Sequence, residues 1–385
     1  MTLWRTLVVV VAALAGLAAC DKDKKVDPPA ELVDLKATLA VDRLWSADVG
    51  GGGEKLRLAL GLAEEGGTLF AASRDGEVRA FDAATGRGRW KTDTKLELSA
   101  GPAAGSGLVV VGTNGGRVVA LDASNGRPRW QTQLSGEVLA TPLVAGYRVI
   151  VRTVDGRLRA LANGDGKELW AVEDLVPRLT LRGTSPPALA GDTVLGGFDS
   201  GKVMAVALDS GEIVWQAQVS SPRGRSELER LADVDAAMRV SGGDAYAVGY
   251  QGRVAMLALD SGQIWWARDL SSYRGLDLDA DQLYVATSDG DVVALRRRDG
   301  SIAWQQQGLK RRGLSTPTVF GEAVIVGDFD GYLHWLDRGS GRFVARERPG
   351  RARISRAPLV VGDRVVVIDD DGGITAYRSG GAAGR

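Results

Sequence analysis

The chain has 385 residues, and its 48 lysines and arginines balance its 48 aspartates and glutamates. This balance creates no global electrostatic field that would recruit nucleic acid or an anionic membrane, so it excludes partners bound mainly through net charge. Length alone suggests two or three domains, but the repeats described below predict one closed unit.

The N-terminus predicts an exported lipoprotein. Arg5 precedes an apolar run, residues 7–16, which has the length of a signal-peptide core and is too short to span a bilayer comfortably. The run leads into Leu17-Ala18-Ala19-Cys20, which resembles a bacterial lipobox, and Cys20 is the only cysteine. Acylation explains a lone thiol in an exported protein better than a leftover cysteine does. We therefore predict a signal peptide over residues 1–19 and lipidation at Cys20.

Two short segments follow the cysteine. The first is charged, contains proline and lacks apolar periodicity, so it predicts a flexible tether over residues 20–37. The second, Arg43-Leu44-Trp45-Ser46, has the pattern of a tryptophan-bearing strand with no repeat before it. This strand is therefore available to complete a unit elsewhere in the chain.

Pairs of glycines ten residues apart recur with a period of roughly 40 residues, which is typical of a propeller or a solenoid. The first members of the pairs are Gly76, Gly116, Gly156, Gly201, Gly252, Gly290 and Gly331. In six repeats a tryptophan follows fourteen residues later: Trp90, Trp130, Trp170, Trp215, Trp266 and Trp304. One large ring per repeat predicts packing between neighbouring repeats, with the indole N–H on a carbonyl. The seventh repeat has Ala345 instead, and we expect Phe343 to take the place of the missing ring.

Turn residues divide each repeat into four short strands. In the second repeat, residues 108–111 and 117–121 are apolar runs separated by Asn114-Gly115-Gly116, a turn sequence that favours positive φ. Residues 122–126 form the next turn, and residues 127–132 form a third strand. Segments such as residues 138–144 supply the fourth. Four antiparallel strands of this kind make one propeller blade.

The chain ends before it completes an eighth repeat, which Gly372 opens. The N-terminal strand around Trp45 supplies the missing piece, and pairing there removes an open sheet edge. We therefore predict an all-β fold, an eight-bladed β-propeller of four-stranded antiparallel blades over residues 38–378. The N-terminal strand closes the ring, and residues 379–385 form a C-terminal tail.

The repeated Ala-Leu-Asp-x-x-x-Gly-x-x-x-Trp pattern, as in residues 120–130, resembles the pyrroloquinoline-quinone-type propellers, a superfamily of dehydrogenases and non-enzymatic relatives. Residues 177–183, 226–235 and 330–335, together with the lipobox, resemble the BamB family, lipoproteins of the outer-membrane β-barrel assembly machinery. This second resemblance covers nearly the whole mature chain. The first two segments lie where the repeat spacing widens, and loops on a rigid scaffold commonly carry function.

The BamB resemblance implies a non-enzymatic scaffold that binds the periplasmic domains of BamA and assists folding and insertion of β-barrel proteins. It implies that Leu179, Leu181, Arg182, Asp233 and Asp235 form the contact. An extended segment would place both leucines on one face, with Arg182 able to fork onto a carboxylate or a backbone carbonyl. The alternatives are a strand facing the core for the leucines, and solvated loop acids or a brace for Arg182 for the aspartates.

The same resemblance implies a location in the outer membrane, lipid-anchored at the periplasmic face, as a monomer within a hetero-oligomeric complex. Asp21 departs from the family pattern, because in enteric bacteria an acidic residue directly after the lipidated cysteine favours retention in the inner membrane. In other lineages the sorting signal lies at later positions after the cysteine, so we still expect the outer membrane.

Two other classes of function stay open as alternatives: a quinoprotein dehydrogenase and a propeller that binds sugar or peptidoglycan. The resemblance to quinoproteins implies an axial cofactor, a Ca²⁺ site and, in many members, a vicinal disulfide that a single cysteine cannot form. His334, the only histidine, lies in a strand-like run beside Trp335, which predicts a packing role. Asp369-Asp370-Asp371 lacks a further carboxylate at ligand spacing and predicts a blade turn. We therefore predict no catalytic residue, no cofactor and no metal.

Overall fold

Apolar runs alternating with glycine-bearing turns form strands throughout this computed structural model. The structure describes residues 27–51, 58–180, 185–221 and 233–382. Over these ranges every regular element is a β-strand, and no helix is long and apolar enough to cross a membrane. The predicted signal peptide, residues 1–19, and Cys20 lie outside the described residues.

The first four blades are antiparallel sheets whose strands follow one another along the chain. Blade 1 contains β3 (Leu62–Glu65), β4 (Thr68–Ala72), β5 (Glu77–Asp82) and β6 (Gly88–Asp93). Blade 2 contains β7 (Leu98–Gly105), β8 (Leu108–Thr113), β9 (Arg117–Asp122) and β10 (Pro128–Gln133), and β2 (Ala59–Leu60) adds a short parallel strand beside β7. Blade 3 contains β11 (Leu143–Ala145), β12 (Arg148–Arg152), β13 (Arg157–Ala162) and β14 (Glu168–Glu173). Blade 4 contains β15 (Ala188–Ala190), β16 (Thr193–Gly197), β17 (Lys202–Ala207) and β18 (Ile213–Gln218).

The last four blades repeat this order, except that the final blade takes its outer strand from the N-terminus. Blade 5 contains β19 (Arg239–Ser241), β20 (Asp244–Val248), β21 (Arg253–Ala258) and β22 (Ile264–Asp269). Blade 6 contains β23 (Leu276–Leu278), β24 (Gln282–Ala286), β25 (Val292–Arg296) and β26 (Ile302–Gln306). Blade 7 contains β27 (Thr318–Phe320), β28 (Ala323–Gly327), β29 (Leu333–Asp337) and β30 (Phe343–Glu347). Blade 8 contains β31 (Leu359–Val361), β32 (Arg364–Ile368), β33 (Gly373–Ala382) and β1 (Leu39–Asp48).

The eight blades form a closed ring. The first strands of successive blades contact one another, and β31 of blade 8 contacts β3 of blade 1, so these strands surround the propeller axis. Closure comes from β1, which pairs with β33 from Leu39 opposite Ala382 to Asp48 opposite Gly373. The predicted eight-bladed fold and its N-terminal closing strand are confirmed. Because β1 supplies backbone partners along its whole length, β33 continues four residues beyond the predicted boundary at Arg378.

At each regular junction between blades, a tryptophan of one blade packs against a glycine of the next. Trp215 of blade 4 lies beneath Gly262 of blade 5, where an added Cβ would lie 2.4 Å from the indole ring. The Trp215 indole donates to the carbonyl of Leu259 at 2.7 Å. Six junctions share this bond, and the pairs are Trp90–Ala123, Trp130–Asn163, Trp170–Leu208, Trp215–Leu259, Trp266–Arg297 and Trp304–Arg338. The predicted packing role of the tryptophan is confirmed, and it explains the second glycine of each pair.

The closing junction differs from these six. Trp45 of β1 lies beneath Gly86 of blade 1 in the usual way. Its indole nitrogen is buried, however, and has no hydrogen-bond partner among the described residues. The carbonyl at the equivalent position, that of Ala83, accepts instead from Arg364 Nη1 at 3.3 Å. Closure therefore retains the ring packing of a regular junction without its hydrogen bond.

The junction between blades 7 and 8 needs no tryptophan. Blade 8 has no turn between its third and fourth strands, because β1 comes from the other end of the chain. Ala345 packs there with Tyr377 and the start of β1. Phe343, expected to replace the missing ring, packs instead with Trp304 and Leu309 on the blade 6 side. That expectation was wrong, because the glycine-bearing turn that a ring would cover is absent from blade 8.

Residues 27–36, which we call the N-terminal strap, lie against the loop that enters blade 7 and against β30. Leu32 packs against the core shared by blades 6 and 7. Three arginines donate to backbone carbonyls of the strap, and the pairs are Arg311–Asp27 at 2.6 Å, Arg312–Ala30 at 3.1 Å and Arg346–Val33 at 2.9 Å. The described part of the predicted flexible tether is therefore bound to the propeller.

Candidate functional site

The segment that enters blade 4, residues 174–187, begins with apolar side chains that are exposed to solvent. Strand β14 ends at Glu173, and the Asp174 carboxylate accepts from Lys202 Nζ at 2.9 Å, which fixes the start of the segment on blade 4. Beyond this anchor, Leu175 is 86% exposed and Val176 is 42% exposed. Sequence reasoning did not select these two residues, although a Leu-Val pair directly before Pro177 was a visible signal.

The predicted contact residues of this segment are only partly described. Leu179 lies in an irregular bend and is 39% exposed, so the alternative of a strand facing the core is wrong for this residue. Leu181 and Arg182 lie outside the described residues. Together Leu175, Val176 and Leu179 form an exposed apolar loop, which we call the blade 4 loop.

The segment that enters blade 5, residues 219–238, is anchored by Val234. This side chain is buried in the core around Trp215, and its carbonyl lies so close to Gly197 that an added Cβ there would approach it to 2.4 Å. Asp233 is 1% exposed, and its carbonyl accepts from the Tyr250 backbone N–H at 2.9 Å. The alternative of a solvated loop acid is therefore wrong for Asp233, because the anchoring of Val234 draws its neighbours inward.

Arg152 lies beside these acids on the same face of the ring. It ends β12, and its Nη2 lies 3.7 Å from Asp199 Oδ2. Its guanidinium packs over the Phe198 ring at 4.5 Å, and its Nε donates to the Gly197 carbonyl at 3.3 Å. Burial lowers the pKa of Arg152, whereas the charges of Asp199 and Asp235 raise it. Sequence reasoning offered Arg182 as a cation beside the aspartates only as one alternative, and it missed Arg152.

A signal for Arg152 was present in the repeat. In six other blades the last position of the second strand is small or apolar, with Ala72, Gly197, Val248, Ala286, Gly327 and Ile368. In blade 2, where β8 ends one residue later at Thr113, the equivalent position is Gly112. Arg152 places a charge at that position. A departure from the repeat at a buried position therefore marks the candidate site.

The acidic group is electrostatically strained. Burial raises the pKa of Asp235 well above its ordinary value, and the charges of Asp233 and Asp199 raise it further, while Arg152 opposes the shift. Burial likewise raises the pKa of Asp199. Such carboxylates favour a nearby cation or hydrogen-bond donor. We call Arg152, Asp199, Asp233 and Asp235 the acidic pocket.

Two features of the sequence were considered as a catalytic or metal site, His334 and the run Asp369-Asp370-Asp371. In the structure, both make structural contacts. His334 is fully buried, its Nε2 lies 3.0 Å from Asp328 Oδ2, and Arg346 Nε donates to its Nδ1 at 3.3 Å. Burial lowers the pKa of His334. Asp369 accepts from the backbone N–H of Gly373 at 2.9 Å and so stabilises a blade turn. Across the described ranges, no group of three His, Cys, Asp or Glu side chains is arranged to hold a metal ion.

Comparison with known proteins agrees with the fold. A family model described as outer membrane protein assembly factor BamB matches residues 41–96 and 74–306. The chain is 48% identical over 377 residues to the outer membrane protein assembly factor BamB of Pseudomonas aeruginosa, covering 98% of this chain and 99% of that protein.

Solved structures show the same architecture. The crystal structure of BamB from Moraxella catarrhalis superimposes with a TM-score of 0.81 at 29% identity, covering 88% of this chain and all of that one. A quinohemoprotein alcohol dehydrogenase from Comamonas testosteroni superimposes with a TM-score of 0.69 at 14% identity, covering 90% and 77% of the two chains. At that identity, the second likeness shows a shared fold alone.

Proposed function

The chain belongs to the BamB family of outer membrane protein assembly factors, and from this premise we propose that it is a lipid-anchored, non-enzymatic scaffold that binds BamA. It acts as one subunit of the outer-membrane assembly complex and assists folding and insertion of β-barrel proteins. The docking surface consists of the blade 4 loop and the acidic pocket, with Leu179, Leu181, Arg182, Asp233 and Asp235 as contact residues.

One observation carries this proposal: an exposed apolar loop lies beside a buried acidic pocket on one face of the ring. The two are electrostatically connected, because the charges of both Asp174, at the start of the blade 4 loop, and Asp235 act on Arg152. Asp174 is fixed on the turn that follows Asp199, through its bond from Lys202. Interfaces commonly combine apolar anchors with desolvated charged groups in this way.

The chemistry of the two parts assigns them different tasks. Leu175, Val176 and Leu179 offer apolar area that a partner would bury, which supplies affinity. Asp235, which keeps partial exposure, would accept donors from the partner, and a cation placed there would relieve the repulsion that raises its pKa. One alternative from the sequence, in which Asp233 and Asp235 brace Arg182, would place Arg182 at the same pocket.

A scaffold fits the structure better than a quinoprotein enzyme. The buried His334 is held by Asp328 and Arg346 and faces core residues rather than an open site. Three exposed apolar side chains, Leu175, Val176 and Leu179, lie instead on the loop that enters blade 4. Likeness to dehydrogenases extends to the fold, which hosts both enzymes and non-enzymes.

The docking surface is tested by replacing Leu179, Leu181 and Arg182 together with alanine. We expect binding to purified BamA periplasmic domains to weaken by at least about 30-fold, since central interface anchors commonly cost about 2 kcal/mol or more. The melting temperature should stay near that of wild type, because Leu179 is not a core residue. Pull-down and calorimetry measure the two quantities.

A matched control replaces Ile302 and Arg298, an exposed pair on blade 6, with alanine. This variant should bind BamA normally. Normal binding by the triple variant, or its failure to fold, would contradict the assignment of the blade 4 loop as the docking site.

Membrane attachment is proposed to run through Cys20 alone, at the periplasmic face of the outer membrane. Several acyl chains on one cysteine make release from a bilayer slow, whereas one chain binds only marginally. Changing Cys20→Ala should yield unprocessed precursor, or a soluble periplasmic protein if another peptidase cleaves. Equal membrane association of the wild type and this variant after a carbonate wash would disprove the anchor. Fractionation of the wild type also decides whether Asp21 redirects it to the inner membrane.

A further inference from the structure

The N-terminal strap runs along the outer rim of blade 7 from one face of the ring to the other. Because the four strands of a blade alternate in direction, the segments that enter successive blades all lie on one face, which we call the entry face. The strap begins on the entry face, where Asp27 contacts Arg311 of the segment that enters blade 7. It ends near the opposite face, where the Thr38 backbone N–H donates to the carbonyl of Val344, the second residue of β30, at 2.8 Å.

Contacts between these two ends hold the strap on this path. The backbone N–H of Ala30 donates to the Lys310 carbonyl at 2.9 Å, and the Ala30 carbonyl accepts from Arg312 Nη1 at 3.1 Å. The Val33 carbonyl accepts from Arg346 Nη1 at 2.9 Å. The strap is therefore recognised mainly through its backbone, as an extended chain laid along the edge of the blade.

Two of these arginines are positioned by groups in the core of blade 7. Arg312 Nε donates to Asp328 Oδ2 at 2.7 Å, and Arg346 Nε donates to His334 Nδ1 at 3.3 Å. Asp328 and His334 are fully buried, and the Oδ2 of the first lies 3.0 Å from the Nε2 of the second. The ring therefore presents ordered donors to the strap, which lowers the entropy cost of docking.

Docking changes the place from which the chain leaves the ring towards Cys20. Seven residue steps separate Cys20 from Asp27, so with the strap docked this connection starts at the entry face and spans at most about 25 Å. With the strap released, the connection would start at Leu39, where β1 begins near the opposite face. Its nineteen steps could then span about 65 Å.

We propose that the docked strap delivers the membrane anchor to the entry face, so that this face of the ring is turned towards the lipid surface. The inference rests on the lipid anchor at Cys20 that we propose for this chain. The blade 4 loop and the acidic pocket lie on the same face, and the blade 4 loop leaves blade 3, which is opposite blade 7 in a ring of eight. A partner bound there would lie between the ring and the membrane and clear of the anchor.

Energy transfer from a dye on the ring to a dye on the lipid surface tests this orientation. Cys20 is the only cysteine and would be acylated, so an introduced cysteine is the one thiol that takes a label. Arg351→Cys places it on the entry face and Glu322→Cys on the opposite face of blade 7, both at exposed positions. The lipidated full chain is reconstituted into vesicles of phosphatidylethanolamine and phosphatidylglycerol that carry an acceptor dye on the headgroups. We expect transfer to be at least about twofold more efficient from position 351, since the docked connection spans only about 25 Å.

A release variant and a matched control isolate the role of docking. Leu32→Ser with Arg311→Gln removes the side chain that packs against the core of blades 6 and 7 and the arginine at the start of the strap. It should abolish the difference between the two labelled positions, and hydrogen exchange of the strap amides should become at least about tenfold faster. Val33→Ser with Lys36→Gln changes two exposed side chains of the same strap and should behave as wild type does.

Three outcomes would count against the proposal. Equal transfer from the two positions in the wild type, or a difference that survives in the release variant, would overturn it. Rapid hydrogen exchange of the strap amides in the wild type would also overturn it, and that measurement does not depend on the anchor. Failure of the wild type to float with the vesicles would refute the lipid anchor at Cys20 and, through it, the proposal.

Discussion

Blade 5 contains both a standard element of the ring and an exception to it. At its junction with blade 4, Trp215 fills the space beneath Gly262 and satisfies its indole N–H on Leu259. At the segment by which the chain enters the same blade, Asp233 and Asp235 are drawn into the protein beside Asp199, and burial and repulsion raise the pKa of Asp235. The tryptophan junction stabilises the folded state, whereas the segment with the two aspartates destabilises it.

The difference indicates where function resides in a repeat protein. Elements that recur from blade to blade find their packing and hydrogen-bond partners within the ring. They therefore stabilise the fold and leave nothing for a partner to recognise. We propose that elements that break the repeat and remain electrostatically strained serve recognition, since a partner can relieve that strain. The predictions below test the two regions separately.

Removing the closing strand should have the largest effect on the regular ring. Deleting residues 1–46 takes most of β1 from blade 8 and leaves β33 with an open edge. We expect the melting temperature to fall by more than about 10 °C, or cooperative unfolding to be lost. Deleting residues 1–26 should change little, and deleting residues 1–36 should cost a few degrees because the N-terminal strap is lost. Identical thermal unfolding of the three truncations would show that the ring closes another way.

A single methyl group should break one regular junction. Gly262→Ala places a Cβ against the Trp215 ring, at a φ of +70°, and overpacking of this kind costs about 2 kcal/mol. Gly242→Ala, in the same blade and at a φ of +63°, meets open space. Because both variants carry the same backbone strain, the difference between their unfolding free energies measures the clash with the ring. Equal values would mean that the tryptophan does not require the glycine.

Neutralising the strained acid should have the smallest effect on stability and the opposite sign. The folded-state pKa of Asp235 is raised, so its charge costs stability at any pH above its unfolded pKa, and the cost is complete above the folded pKa. Asp235→Asn should therefore raise the melting temperature at pH 7 by about 1–2 °C, with the gain vanishing as the pH falls towards 4.

The same variant should weaken binding to BamA, because it removes an acceptor from the acidic pocket. Asp260→Asn, an exposed acid of the same blade, should alter neither quantity. Lower stability of Asp235→Asn at pH 7, or unchanged binding, would contradict the role assigned to the pocket.

The repeated part of the molecule was predictable from the sequence because its constraints are local. A glycine under a neighbouring ring and a turn at a fixed spacing recur in seven of the eight blades, so the eight blades and their closure followed from counting. Features that occur once were harder to predict. Arg152 required knowledge of which side chains surround the end of β12, and the binding of the N-terminal strap depended on Arg311, Arg312 and Arg346, far away in the chain.

Phe343 shows the limit of reasoning by repeat. Its aromatic character suggested a substitute for the tryptophan of blade 7, yet the need for a ring depends on a turn in the following blade. Blade 8 lacks that turn because its outer strand comes from the N-terminus. Repeat counting predicted the closure, but its effect on the neighbouring junction appears only in three dimensions.

Among the described strands, the pairing of β1 with β33 joins the first in the chain to the last. During synthesis and export β1 has no partner, and the ring stays open until β33 arrives. A chain cut short by a premature stop in blade 8 would lack β33 and present unpaired strands at two places, the kind of surface that quality-control proteases and chaperones recognise. The position of one strand therefore makes closure of the ring depend on synthesis of the last blade.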